Sequence, residues 1–283
     1  MIIRRDAPEK PGIYPRRPAS RDAMAHAPVR RLSVAMLSLN RLALSRDSPN
    51  QAPMINVCIG FDGREAAAFN VLAYSIHRRS SQPVTIAPLM LSQLQDVFRR
   101  ERHPLQSTDF SFSRFLTPWL ADFAGWSIFM DCDMLVLDDI AKLWALRDDR
   151  YAVMVIKHQH VPKEERKFLN EPQSKYEKKN WSSVMLFNNA RCRALTPDYV
   201  NTASGLELHQ FKWLGDDALI GALPSRWNHL VGYDAGRRDA ALVHYTLGGP
   251  YFPEYADCEY AAEWFAERDA MLHAGAAPLS QRP

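Results

Sequence analysis

The sequence predicts an α/β fold built on a mostly parallel central sheet flanked by helices. Three observations predict it. From residue 55 onward, apolar runs of strand length alternate with segments of helical period. One of those runs, within residues 127–139, ends on paired carboxylates, as a buried strand does when its carboxyl end carries chemistry. The chain has 283 residues, of which 47% are hydrophobic, enough for a sizeable core, and no apolar run approaches the ~20 residues that span a bilayer.

Residues 1–53 precede the alternating region. They hold ten Lys/Arg and four Asp/Glu, a balance of +6, and leave 25 basic and 28 acidic residues, or −3, for the remainder. The formal charge of +3 therefore conceals a mildly acidic body, which argues against a basic nucleic-acid footprint there. Arg, Pro, Ala and Ser without a period cannot bury enough surface to order, so the reading is a disordered tail before a domain spanning residues 54–283. Met54 sits directly before the first strand, so the tail reads as upstream sequence from an early start codon. The alternative, a targeting segment around residues 30–37, has too long a charged region ahead of it and too short an apolar part.

The elements then follow in order. Residues 55–61 read as a strand, Asp62 and Gly63 as its turn, and residues 64–79 as a helix with Ala66, Phe69, Leu72, Ala73 and Ile76 on one stripe. A second strand covers 84–89, a second helix 91–100, and a third helix 112–123 despite Pro118. The acidic-motif strand comes next, with Asp138 or Asp139 capping a helix that carries Ile140, Leu143, Trp144 and Leu146. Residues 151–156 and 184–187 are further strands, 216–223 a short helix, and 157–179 a long charged loop or a lid. Cys58, Cys132, Cys192 and Cys258 lack metal or disulfide spacing and read as reduced thiols of a cytoplasmic protein.

Chemistry concentrates at Asp131 and Asp133. Side chains alternate along an extended chain, so both carboxylates project to one face and make a site for a hard cation, Mn²⁺ or Mg²⁺, able to hold a nucleotide diphosphate. An Asp-rich turn is the bland alternative for such a pair taken alone.

The segments Phe112 to Leu120, Phe129 to Ile140 and Leu143-Trp144 resemble the central block of family 8 glycosyltransferases. Three later pieces fall in the family's order: Asn180-Trp181-Ser182-Ser183-Val184-Met185, Gly215-Asp216-Asp217-Ala218-Leu219, and Val243-His244-Tyr245-Thr246. The resemblance covers about residues 55–252. It implies a GT-A fold, a nucleoside-diphosphate sugar donor, UDP-hexose in type, a bound Mn²⁺ or Mg²⁺, and transfer to a hydroxyl acceptor with retention. The acceptor it leaves open is a glycan, a lipid-linked glycan or a small molecule, with a peripheral membrane contact compatible. By position, Asp131, Asp133 and His244 would hold the metal, and Asp131 would also approach the donor ribose. Asp62 would contact the base or ribose, Arg114 would orient the acidic motif or the donor, and Gly248 and Gly249 would meet phosphate through their N–H groups. Asp216 and Asp217 are the acids of the donor-sugar region, and Asn180 or Ser182 takes the donor-sugar role. A satisfied core histidine for His244, a turn for Asp62, a surface salt bridge for Arg114 and a helix cap for Asp216 and Asp217 are the structural alternatives.

Three departures stand out. Ser183 replaces the family's Gly, no Gln separates two acids after Gly215, and Gly249 stands where the family has the Lys that would neutralise the departing diphosphate. On that reading Gly249→Lys raises turnover. Two rivals remain: a haloacid-dehalogenase-like phosphatase with Asp131 as nucleophile, which leaves His244 and residues 55–125 unexplained, and a catalytically degenerate sugar-nucleotide-binding protein.

Overall fold

The computed structural model describes residues 54–102, 106–159, 169 and 177–273. The tail expected at 1–53 and most of the loop expected at 157–179 lie outside the described residues. Strand β1 (Ile55–Gly60) is buried and apolar because it pairs in parallel on both edges, with β2 (Val84–Leu89) and β3 (Trp126–Met130). A turn over Gly63–Glu65, capped by Asp62, leads into α1 (Ala66–Arg79), whose last turn places His77, Arg78 and Arg79 against the helix's negative end. Its buried residues are Ala68, Val71, Leu72, Ser75 and Ile76, so the stripe is rotated from the expected one and Ala66 and Phe69 lie at its margin.

Several expected elements are corrected. The helix expected over 91–100 is a single 3-10 turn, Leu91–Gln93: Asn201 Nδ2 donates to the Val97 carbonyl at 2.8 Å and Asn201 Oδ1 accepts the Arg99 N–H at 2.7 Å, so this backbone bonds laterally and not along a helix. The helix expected over 112–123 is a 3-10 segment, Ser113–Leu116, running into α2 (Thr117–Leu120) with Pro118 in its first turn, and it ends before Asp122 and Phe123, both left-handed. The acidic motif is not one strand. Strand β3 stops at Met130, residues 131–133 bend, and β4 (Met134–Val136) belongs to another sheet.

Asp139 accepts the Ala141 N–H and opens α3 (Ile140–Trp144); β5 (Val153–Val155), shorter than expected, and β6 (Val184–Asn188) follow. Thr196 caps α4 (Pro197–Thr202), and a reciprocal Ser204–Glu207 capping box opens α5 (Gly205–His209). Where 216–223 was expected to be helical, only Asp217–Leu219 turn, and β7 (Ile220–Ala222) pairs in parallel with β5. Strands β8 (His229–Leu230) and β9 (Leu242–His244) and helix α6 (Ala261–His273) complete the described chain; β8 and α6 were not anticipated.

Among the described residues the main sheet runs β2-β1-β3-β6-β5-β7, with three parallel and two antiparallel pairings, and a smaller sheet runs β4-β9-β8. Helix α1 serves both cores. Leu72 and Ile76 join the main one, whereas Val71 packs with Leu135, Val243, Tyr245 and Trp264 of the second. Buried Glu267 on α6 accepts from Arg78 and Arg79, which fastens α6 to α1.

Candidate active site

The site lies where the two sheets meet. The Asp131 N–H continues the main ladder by donating to the Ser183 carbonyl at 3.0 Å, while the Asp133 carbonyl accepts the Tyr245 N–H at 2.9 Å, beside the smaller sheet. Register sets Met134 opposite His244. Ligand atoms of Asp131, Asp133 and His244 therefore come within 4.8 Å of one another, with Asp133 and His244 buried. The sequence expectation that these three converge agrees with this placement, although a bend and not an alternating strand brings the two carboxylates together.

Electrostatics around the bend favour a cation. Asp131 is paired with Arg114, whose Nη1 lies 2.8 Å from its Oδ1 and donates also to the Ser182 carbonyl at 2.7 Å. Arg114 is itself buried, lying over the Phe110 and Phe129 rings, so it orients the acidic motif and is no surface salt bridge. Glu65 is fully buried beneath the bend, accepting from the Tyr251 hydroxyl at 2.6 Å and from the Cys132 thiol. Burial, then Glu65, Asp133, Asp131 and Asp62, push the Cys132 thiol well above its ordinary 9.0. Cys132 is thus a neutral thiol that donates to Glu65. Tyr251 is pushed up by burial and then by Glu65 and Asp133, and stays a phenol.

The residues fit a divalent ion. His244 Nε2 faces Asp133 Oδ1 at 3.4 Å, and its Nδ1 lies 3.0 Å from Asn228 Oδ1. Two carboxylates and an imidazole nitrogen form a donor set for Mn²⁺ or Mg²⁺.

The remaining expected residues are placed as follows. Asp62 is buried and caps the turn before α1: Arg64 donates to it from its N–H and guanidinium, and the Asp109 N–H donates at 3.1 Å. Burial opposes its charge, but these bonds outweigh it and hold the carboxyl below its ordinary 3.8. Asn180 is left-handed (φ 65°) and buried, and its Nδ2 has no hydrogen-bond partner among the described residues. Ser182 is committed to His209, Oγ to Nδ1 at 2.7 Å, and burial together with Arg114, Lys179 and Arg100 holds that imidazole neutral. Of the two, Asn180 has the donor to spare.

Asp216 and Asp217 are exposed and stand apart from this network. Asp216 accepts the Ala218 N–H at 2.8 Å, and Asp217 pairs with Lys178 at 2.6 Å. The cap is what the structure gives Asp216, and the strand that follows them starts level with Val153, not with the acidic bend. Gly248 takes a φ of 143° that other residues avoid, and its N–H donates to the Tyr245 carbonyl at 2.8 Å. At Gly249 a Cβ would meet Tyr251 Cε1 at 2.3 Å. The Tyr251 ring, held by Glu65, thus occupies the space that a side chain at Gly249 would enter. Glu65, Tyr251, Ser183 and Asn228 were missed as site residues; only the Ser183 departure from the family pattern signalled one of them.

No family model matches the chain. It is 45% identical over 222 residues to protein CDI of Arabidopsis thaliana, covering 75% of this chain and 85% of that protein. Among solved structures it resembles the WbbM bifunctional glycosyltransferase (TM-score 0.53, 13% identity, 78% of this chain and 50% of that one) and the glycosyltransferase GlyE of Streptococcus pneumoniae (TM-score 0.51, 13% identity, 78% and 62%). The chain spans about half the length of WbbM. These likenesses carry the fold: it is the GT-A fold of glycosyltransferases, with a mostly parallel central sheet.

Proposed function

Since the chain belongs to the family of Arabidopsis thaliana protein CDI, and has a GT-A core with a buried acidic bend, we propose that it is a metal-dependent glycosyltransferase. It moves a hexose-type sugar from a nucleoside diphosphate, UDP by the family 8 resemblance, to a hydroxyl acceptor with retention. The observation that carries the reading is the convergence of Asp131, Asp133 and His244.

A divalent ion held there would stabilise the charge that develops on the diphosphate as the anomeric bond breaks. Asp131 and Asp133 would bind that ion and His244 would contribute Nε2, while Arg114 holds Asp131 in place. Asn180 has a donor for a sugar hydroxyl. Asp216 and Asp217 would need to act from the exposed turn before β7, so the role proposed for them is acceptor or sugar recognition at the rim. No cation stands at Gly249, so more of the leaving-group charge falls to the metal position.

The test is transfer or slow donor hydrolysis with UDP-hexoses in Mn²⁺ and in EDTA, with NMR of the first-formed anomer. Metal-dependent release of UDP with a retained anomer is expected. An inverted anomer would overturn the retaining reading, and metal-dependent UDP binding without turnover would favour a degenerate binding protein.

A further inference from the structure

Behind His244 runs a buried polar chain. His244 Nδ1 is 3.0 Å from Asn228 Oδ1; Asn228 Nδ2 donates to Ser183 Oγ at 2.8 Å; and Ser183 Oγ donates to the Asn180 carbonyl at 2.7 Å. Asn228 is fully buried, and Ser183 and His244 are 2% exposed. Among the described residues these groups satisfy one another, so the hydrogen positions follow by elimination.

A carbonyl only accepts, so the Ser183 hydroxyl spends its proton on Asn180. Ser183 Oγ can then only accept from Asn228, which turns the amide nitrogen toward Ser183 and the amide oxygen toward His244. An amide oxygen only accepts, so Nδ1 carries the imidazole proton. The lone pair is left on Nε2, the atom that faces Asp133 Oδ1 at 3.4 Å.

We infer that Asn228 and Ser183 are positioning residues that set the tautomer of His244, so that Nε2 is presented as a ligand toward Asp131 and Asp133. The inference rests on the metal-site reading above and adds two residues to it. It also gives the Ser183 departure a use. A glycine there would leave the Asn228 amide without the acceptor that reads its orientation, and a flipped amide would put the proton on Nε2, aimed at the carboxylates. Partners of this kind, bonded to the other nitrogen of a ligating histidine, alter metal affinity by roughly 10- to 100-fold when removed.

The full chain, metal-free and ¹⁵N-labelled, is examined at about pH 8, above the ordinary His range, where long-range imidazole correlations report which nitrogen of His244 is protonated. Nδ1–H is expected in the natural chain, and a mixture of tautomers in Ser183→Ala. Calorimetry with Mn²⁺ alone should find affinity reduced roughly 10- to 100-fold in Asn228→Ala, reduced less in Ser183→Ala, and largely recovered in Asn228→Asp, which keeps the acceptor. An Nε2–H tautomer in the natural chain, or a tautomer and Mn²⁺ affinity unchanged in Ser183→Ala, overturns the inference. Should Asn228→Ala not fold, Ser183→Ala decides alone, since it deletes one oxygen. A natural chain that binds no Mn²⁺ would sink the metal reading, and the metal-free tautomer would still decide the positioning.

Discussion

Asp133 is the residue on which the metal reading turns, because it is buried and its Oδ1 faces His244 Nε2 at 3.4 Å. Asp133→Asn replaces a charged oxygen with a neutral amide, so Mn²⁺-dependent UDP binding is expected to fall by at least roughly tenfold while the melting temperature holds. Calorimetry and a thermal melt on the same sample check both. Asp62 makes a different expectation, about pH. Its folded carboxyl sits below its ordinary 3.8, so its contribution to stability is complete above 3.8 and is lost below it, as pH falls through the lower folded value. Urea midpoints should drop more between pH 5 and pH 3, taken as roughly spanning the carboxylate range, in the natural chain than in Asp62→Ala. At this scale the sequence made the cluster of Asp131, Asp133 and His244 legible, because Asp-X-Asp and a distant strand histidine are local signals. It could not reveal Glu65, Tyr251 or Asn228, whose roles exist only once three distant segments touch.

At the scale of elements, the loop after β9 is tied to α1 through Tyr251 and Glu65. Tyr251→Phe leaves a buried carboxylate short of one donor and should cost about 1–3 kcal/mol, read as a lower denaturant midpoint. Gly249→Lys forces a Cβ into that same ring and should cost about 1–3 kcal/mol through overpacking, with no gain in turnover. Strands β1 and β2, helix α1 and the Asp139 cap were legible because apolar period and capping chemistry are written locally. The helices expected at 91–100 and 216–223 were not, since Asn201, more than a hundred residues downstream in sequence from Leu91's turn, diverts the first and parallel pairing with β5 draws Ile220–Ala222 into a strand. Tertiary pairing overrode a weak helical period in both cases. The bend at Cys132 escaped notice because alternation looks alike in one strand and in two strands joined by a kink.

For the whole molecule, the acidic body and the basic first 53 residues lead to one expectation. A chain beginning at Met54 should retain its melting temperature and UDP binding, and should carry a formal charge near −3 in place of +3. A large drop in melting temperature would show that the earlier residues pack on the rest. A broader consequence comes from the bend itself. Asp131 is fixed by its backbone to the six-stranded sheet, and Asp133 and His244 to the three-stranded one. Ligands drawn from both sheets make the site a rivet through a seam: occupancy opposes any motion that slides one sheet past the other. Binding at a hundred times the dissociation constant would stabilise the folded state by about 2.7 kcal/mol. That gain should appear as slowed amide exchange in β4 and β9 together with the end of β3, so the seam itself becomes the place where donor-site filling can be read.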